Sequence, residues 1–218
     1  MTRAANTVIS LVVLGGLLTG CAGGRTDDLV SPSAAPTVPE ATPVLTVDPD
    51  ERRESLIRLA VWIDRLALES DIAKEHLDFA LRKPDDLDWV HRHLRHMRHA
   101  LAPETEEDGP GLGSGVTEAV RGIATSTRGY DRWTVQSIAR TGANVARWTN
   151  DAILLSENAL AEKTDTKQVM QWVRTIEVIL RYLREGHDAN RDGLVSWSSG
   201  ESGVRQLQAL VSDLQRRG

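Results

Sequence analysis

Asp188, Asn190 and Asp192 stand at alternate positions, followed by Gly193, Leu194, Val195 and Ser196. In a tight loop this spacing turns every second side chain toward one point, where a hard cation such as Ca2+ finds oxygen ligands. Asparagine in the middle keeps an oxygen while reducing the repulsion among carboxylates. Gly193 falls where the chain must turn sharply, and Leu194 can add its backbone carbonyl. A second set of donors lies in His91, His93, His96 and His99, four of the six histidines within nine residues. His93, His96 and His99 step by three, so on a helix they drift along one side, away from a stripe of Leu94 and Met97. Imidazoles on adjacent turns suit Zn2+, Cu2+, nickel or iron. Arg92, Arg95 and Arg98 interleave with them, and fixed positive charge repels a cation. Three readings stand open. One is a transition-metal site at His93, His96 and His99, completed by an acidic neighbour or by His76. Another is a basic strip that gains charge as pH falls through about 6.5 and meets an anionic partner. The last is plain solvated surface.

The elements that must position these residues are all helical. Asp48-Pro49-Asp50-Glu51 reads as a helix start, with Asp48 as cap, Pro49 at the first helical position and Glu51 placed for a capping box. Leu56, Leu59, Ile63, Leu66, Leu77 and Ala80 then keep helical spacing. A second helix follows Pro84, capped by Asp85, with Leu87, Val90, Leu94, Met97 and Leu101 on its stripe. Pro103 to Gly115 is a loop holding Glu104, Glu106, Glu107, Asp108 and four glycines. A short helix is expected around Val116, Val120 and Ile123. Asp131 opens a long one, with Ile138, Thr141, Val145, Trp148, Ala152, Leu155 and Ala159. Another runs from about Asp165 through Val169, Trp172, Ile176, Ile179 and Leu183, and the last carries Val204, Leu207, Val211 and Leu214. No segment alternates as a strand does. Each helix has one apolar stripe, so the stripes must face one another. The expected fold is all-α, an antiparallel bundle of five to six helices over residues 48–218, with the six tryptophans as core and crossing residues.

The stretch from Asp188 resembles the calcium loop of the EF-hand family. That resemblance makes Asp188, Asn190, Asp192, the Leu194 carbonyl and Ser196 ligand positions one, three, five, seven and nine. It also implies a helix on each side, the first ending near Glu185 and Gly186, the second starting from about Gly200. The family's bidentate glutamate at position twelve is replaced by Ser199. Glu201, two residues late, can substitute if Trp197 to Gly200 bulges, which Gly200 eases. The loop 188–201 then reads as a weak, structural calcium site, in the 10⁻⁴ to 10⁻³ M range of extracellular modules. One loop alone does not make the paired arrangement of a sensor.

At the other end, Met1-Thr-Arg3 precedes an apolar run from Val8 to Leu18, closed by Leu18-Thr19-Gly20-Cys21. The run is shorter than the roughly 20 residues of a membrane span. It resembles a bacterial lipoprotein signal with its lipobox. The resemblance implies cleavage after residue 20, acylation of Cys21, and durable anchoring of an exported protein. With Ala22 next, it implies the outer membrane in a two-membrane envelope, and otherwise the outer face of the cell membrane. Cys21 is the sole cysteine, so no disulfide forms within the chain. Residues 21–47 are a tether, with Pro32, Pro36, Pro39 and Pro43 among small polar residues. The net charge is −5, which argues against nucleic acid as a partner. No nucleophile elbow, phosphate loop or haem attachment motif occurs. Gly109 to Gly115 follows no strand and reads as a loop rather than a nucleotide site. The expectation is a non-catalytic binding module with a partner in the cell envelope and a calcium-stabilised end. The alternative is a transition-metal binder using the histidine helix.

Overall fold

The computed structural model describes residues 48–103 and 109–217. The signal segment, Cys21, the tether and the acidic residues Glu104, Glu106, Glu107 and Asp108 lie outside them. Six helices follow in order: α1 Pro49–Arg82, α2 Leu87–Leu101, α3 Gly115–Thr125, α4 Arg132–Ala161, α5 Thr166–Glu185 and α6 Val204–Arg217. The described residues contain no strand, so the all-α bundle is what the stripes produce. No helix among them is long and apolar enough to cross a membrane.

Aspartate starts four of these helices. Asp48, Asp86, Asp131 and Asp165 each accept a hydrogen bond from an orphan amide, of Asp50, Trp89, Thr134 and Gln168 respectively. The cap of α2 is Asp86 rather than the expected Asp85. Both are carboxylates after Pro84, and the chain needs one more residue to turn before its amides align. Lys83 ends α1 outside the helical region at ψ 68°, as a residue before proline must.

α1 is the central element, in contact with α2, α3, α5 and α6, and α4 closes the bundle against α5, α3, α2 and α6. Its Leu59, Ile63, Leu66, Ala73, Leu77 and Ala80 are fully buried beside Leu94, Met97, Ile138, Ile176, Leu183 and Leu207. Four-residue connectors at 83–86 and 162–165 make helical hairpins of α1 with α2 and of α4 with α5. Trp148 is the tryptophan the core encloses, at 4 % exposure, whereas Trp133 stands 56 % exposed. Trp62, Trp89, Trp172 and Trp197 are half-buried.

A buried glutamate shapes the loop after α2. Glu69 of α1 is fully enclosed, and its Oε1 accepts from Leu112 N at 2.9 Å and Gly115 N at 3.0 Å. The carboxylate thus sits at the amino end of α3, where the helix dipole favours it. The glycine-rich segment is in this way tied to α1.

Candidate metal centre

The α1–α2 hairpin brings His76 against His93 and His96. One ligand atom from each lies within 4.8 Å of the other two, a group that can hold a metal ion. It is the one such group among the described residues. His76 Nδ1 and His93 Nδ1 are 3.1 Å apart. Two nitrogens on a tetrahedral Zn2+, each about 2.0–2.1 Å from the ion, would be about 3.3 Å apart. The His76 and His93 rings stack at 23°, their centres 5.4 Å apart. The His96 ring stands nearly perpendicular to both, at 83° and 88°.

His93 is 8 % exposed, while His76 and His96 are half-buried. His93 Nε2 is buried with no hydrogen-bond partner. Burial, then the charges of His96 and His93, pushes His76 down to about 4. Burial likewise pushes His93 down, helped by His96, Arg92, Arg82 and Lys83. Both rings are therefore neutral at pH 7, the form in which imidazole ligates. Two aromatic rings support the site. Trp89 Nε1 donates to the Phe79 carbonyl at 2.7 Å, tying α2 to the end of α1. The Trp89 and Phe79 rings lie 4.4 Å and 5.2 Å from the His93 ring.

The sequence-based trio of His93, His96 and His99 is thus brought together only in part. At 100° per residue His96 is 60° around the helix from His93, but His99 is 120° away. His99 packs instead against Gly109, where an added Cβ would meet its ring at 2.4 Å. His91 faces the end of α4, beside Ala159 and Lys163. His76 supplies the third imidazole from another helix. Its spacing from His93 carries no periodic signal, though α1 and α2, joined by a short loop, had to pack face to face.

The oxygen-rich loop between α5 and α6 is folded on its own side chains. Asp188 Oδ1 accepts from Asp192 N and Oδ2 from Gly193 N, while Asp192 Oδ1 accepts from Leu194 N. Asn190 Oδ1 also accepts from Asp192 N, and its Nδ2 donates to Asp192 Oδ2. Arg191 and Gly193 take φ of 61° and 89°, the left-handed values of a tight turn. Glu201, 2 % exposed, reaches back to Ser196: its Oε2 accepts from Ser196 N at 3.0 Å and Ser196 Oγ at 2.5 Å. The carboxylates of Asp188, Asp192 and Glu201 do not all draw within 4.8 Å of one another. α5 ends at Glu185, as expected, while α6 begins at Val204 rather than near Gly200.

Two polar residues of α4 hold this segment, and sequence periodicity passes over one of them, Asn144. Asn144, in the buried face of α4, accepts from Gly200 N at 2.6 Å through Oδ1 and donates to the Ser202 carbonyl at 3.2 Å through Nδ2. Thr141, which the apolar stripe includes, bonds Ser202 Oγ at 2.7 Å. Gly186 is obligatory, because its φ is 86° and an added Cβ would meet Val195 Cγ1 at 2.5 Å and the Glu201 carbonyl at 2.6 Å. Comparison with protein families, with curated proteins and with solved structures finds no match for the chain.

Proposed function

We propose that this protein is an exported, lipid-anchored, non-catalytic helical domain that binds a transition-metal ion of the zinc or copper class at His76, His93 and His96. The observation that carries the reading is the convergence of three imidazoles from two helices within 4.8 Å. Imidazole is a borderline ligand and selects such ions over calcium or magnesium. The depressed affinity of His76 and His93 for protons supports it, because no proton has to be displaced at neutral pH. The export and the anchor rest on the apolar run, Leu18-Thr19-Gly20-Cys21 and the Pro-rich segment after it. Titration calorimetry of the full chain in detergent with Zn2+ is expected to give one saturable site per chain. Heat no larger than that of the His93→Ala variant would sink the reading.

The position of Glu201 favours a second ion. Its carboxylate lies at Ser196, the ninth position of the oxygen-rich loop, rather than pointing to solvent. Calcium would draw the Glu201 carboxylate from Ser196 toward Asp188, Asn190, Asp192 and the Leu194 carbonyl, fixing α6 on the bundle. Millimolar Ca2+ is expected to raise the melting temperature, and the Asp188→Ala, Asp192→Ala double variant is expected to lose that rise. No rise in the unmutated protein would remove calcium from the account.

A further inference from the structure

We propose that the cavity between the start of α1 and the end of α6 binds one anionic phospholipid, its phosphate at Arg52 and Arg53 and its apolar part against Leu56, Ile57 and Leu214. The cavity measures about 720 Å³, within the size range of small-molecule sites. α1 lines it with Arg52, Arg53, Leu56 and Ile57, α6 with Leu214, and the loop between α3 and α4 with Tyr130. Arg52 and Arg53 each stand one helical turn before an apolar residue, Leu56 and Ile57, on the same face. On α6 the order recurs, with Arg217 toward the chain end and Leu214 three residues before it. Charge therefore lies at one end of the cavity and apolar surface beside it, which suits a molecule with a charged head and an apolar body.

The guanidinium fork matches the oxygens of a phosphate, and both Arg52 and Arg53 are exposed to receive one. Tyr130 adds a donor. Its hydroxyl is buried and has no hydrogen-bond partner among the described residues. Burial pushes that hydroxyl up, against the charges of Arg52 and Arg58, so it stays protonated and can donate to a lipid oxygen. Ile57, 57 % exposed, gains cover when an apolar chain lies on it. Arg217 is shared with Asp213, and Asp50 lines the cavity and opposes an anion, so the selectivity falls chiefly on Arg52 and Arg53. The supply of lipid rests on the anchor proposed at Cys21, because the tether joins the domain at the start of α1. The chemistry of the cavity does not depend on that anchor.

Native mass spectrometry of the full chain in a neutral detergent tests the site. The chain is incubated with phosphatidylglycerol or with phosphatidylcholine of the same acyl chains, and the retained lipid is counted. The expected result is one phosphatidylglycerol per chain, held several-fold in preference to phosphatidylcholine. The Arg52→Gln, Arg53→Gln double variant is expected to hold it about tenfold more weakly with unchanged helical circular dichroism. Asp50→Asn, which removes an opposing charge, is expected to hold it more tightly. Glycerol phosphate, the head without the apolar body, is expected not to displace the lipid at equal concentration. Equal retention of the two lipids, or retention that the double variant leaves unchanged, overturns the proposal. Displacement by glycerol phosphate overturns it too, since the cavity is then a site for free phosphate. None of these outcomes bears on the anchor, which fractionation of Cys21→Ala tests separately.

Discussion

Nδ1 of His76 and Nδ1 of His93, 3.1 Å apart, define the chemistry of the α1–α2 hairpin. Without a metal, one ring must donate and the other accept, which fixes one tautomer on each. Protonating the accepting ring at its Nδ1 places two donors face to face. Burial, then the charges of His96 and of His93, pushes His76 down from 6.5 to about 4. The unfolded chain takes up this proton as pH falls through 6.5, whereas the folded chain refuses it until about 4. The stability held above pH 6.5 is therefore lost progressively between 6.5 and 4. In the presence of a chelator, the melting temperature is expected to fall over that window, and to fall less in His76→Gln. An equal slope in the two proteins would show that His76 is not the group. The donors on α2 were legible as residue types at helical spacing. Which three converge was not, because that depends on 60° steps around one helix and on a partner from another.

At the scale of elements, the helix starts and stripes follow from local chemistry. Asp131 and Asp165 cap as a reading of Asp before an apolar repeat requires. Leu94 and Met97, Ile176 and Leu183 are buried as their spacing dictates. Tertiary polar anchors escaped that reading. Asn144 and Thr141 are ordinary helix residues until the 198–202 segment lies across them, and Glu69 is an ordinary carboxylate until the glycine-rich loop folds onto it. The α5–α6 loop therefore depends on α4 as much as on its own aspartates. Asn144→Ala leaves the buried Gly200 amide without its acceptor, and is expected to cost about 1–3 kcal/mol in urea unfolding. A change within a few tenths of a kcal/mol would mean that the segment holds its place without α4.

For the whole molecule, the two candidate ion sites lie in different parts of the bundle and use different ligands. Imidazoles sit between α1 and α2, and oxygens between α5 and α6. The chain bears a net charge of −5, yet the surroundings of His93 are locally basic through Arg82, Lys83 and Arg92. The proposed membrane anchor rests on Cys21. Cys21→Ala is expected to move the protein from the membrane fraction to the soluble fraction on cell fractionation; retention in the membrane would contradict a lipid anchor. The proposed site holds one transition-metal ion at His76, His93 and His96. Its most direct measurement is Zn2+ affinity by competition with a chromophoric chelator, for the unmutated chain and for His76→Ala, His93→Ala and His99→Ala. Loss of even an outer-shell partner costs 10- to 100-fold, so the first two variants are expected to bind at least about 100-fold more weakly. His99→Ala is expected to bind as the unmutated chain does. Equal affinity in all four proteins, or a loss confined to His99→Ala, would contradict the account.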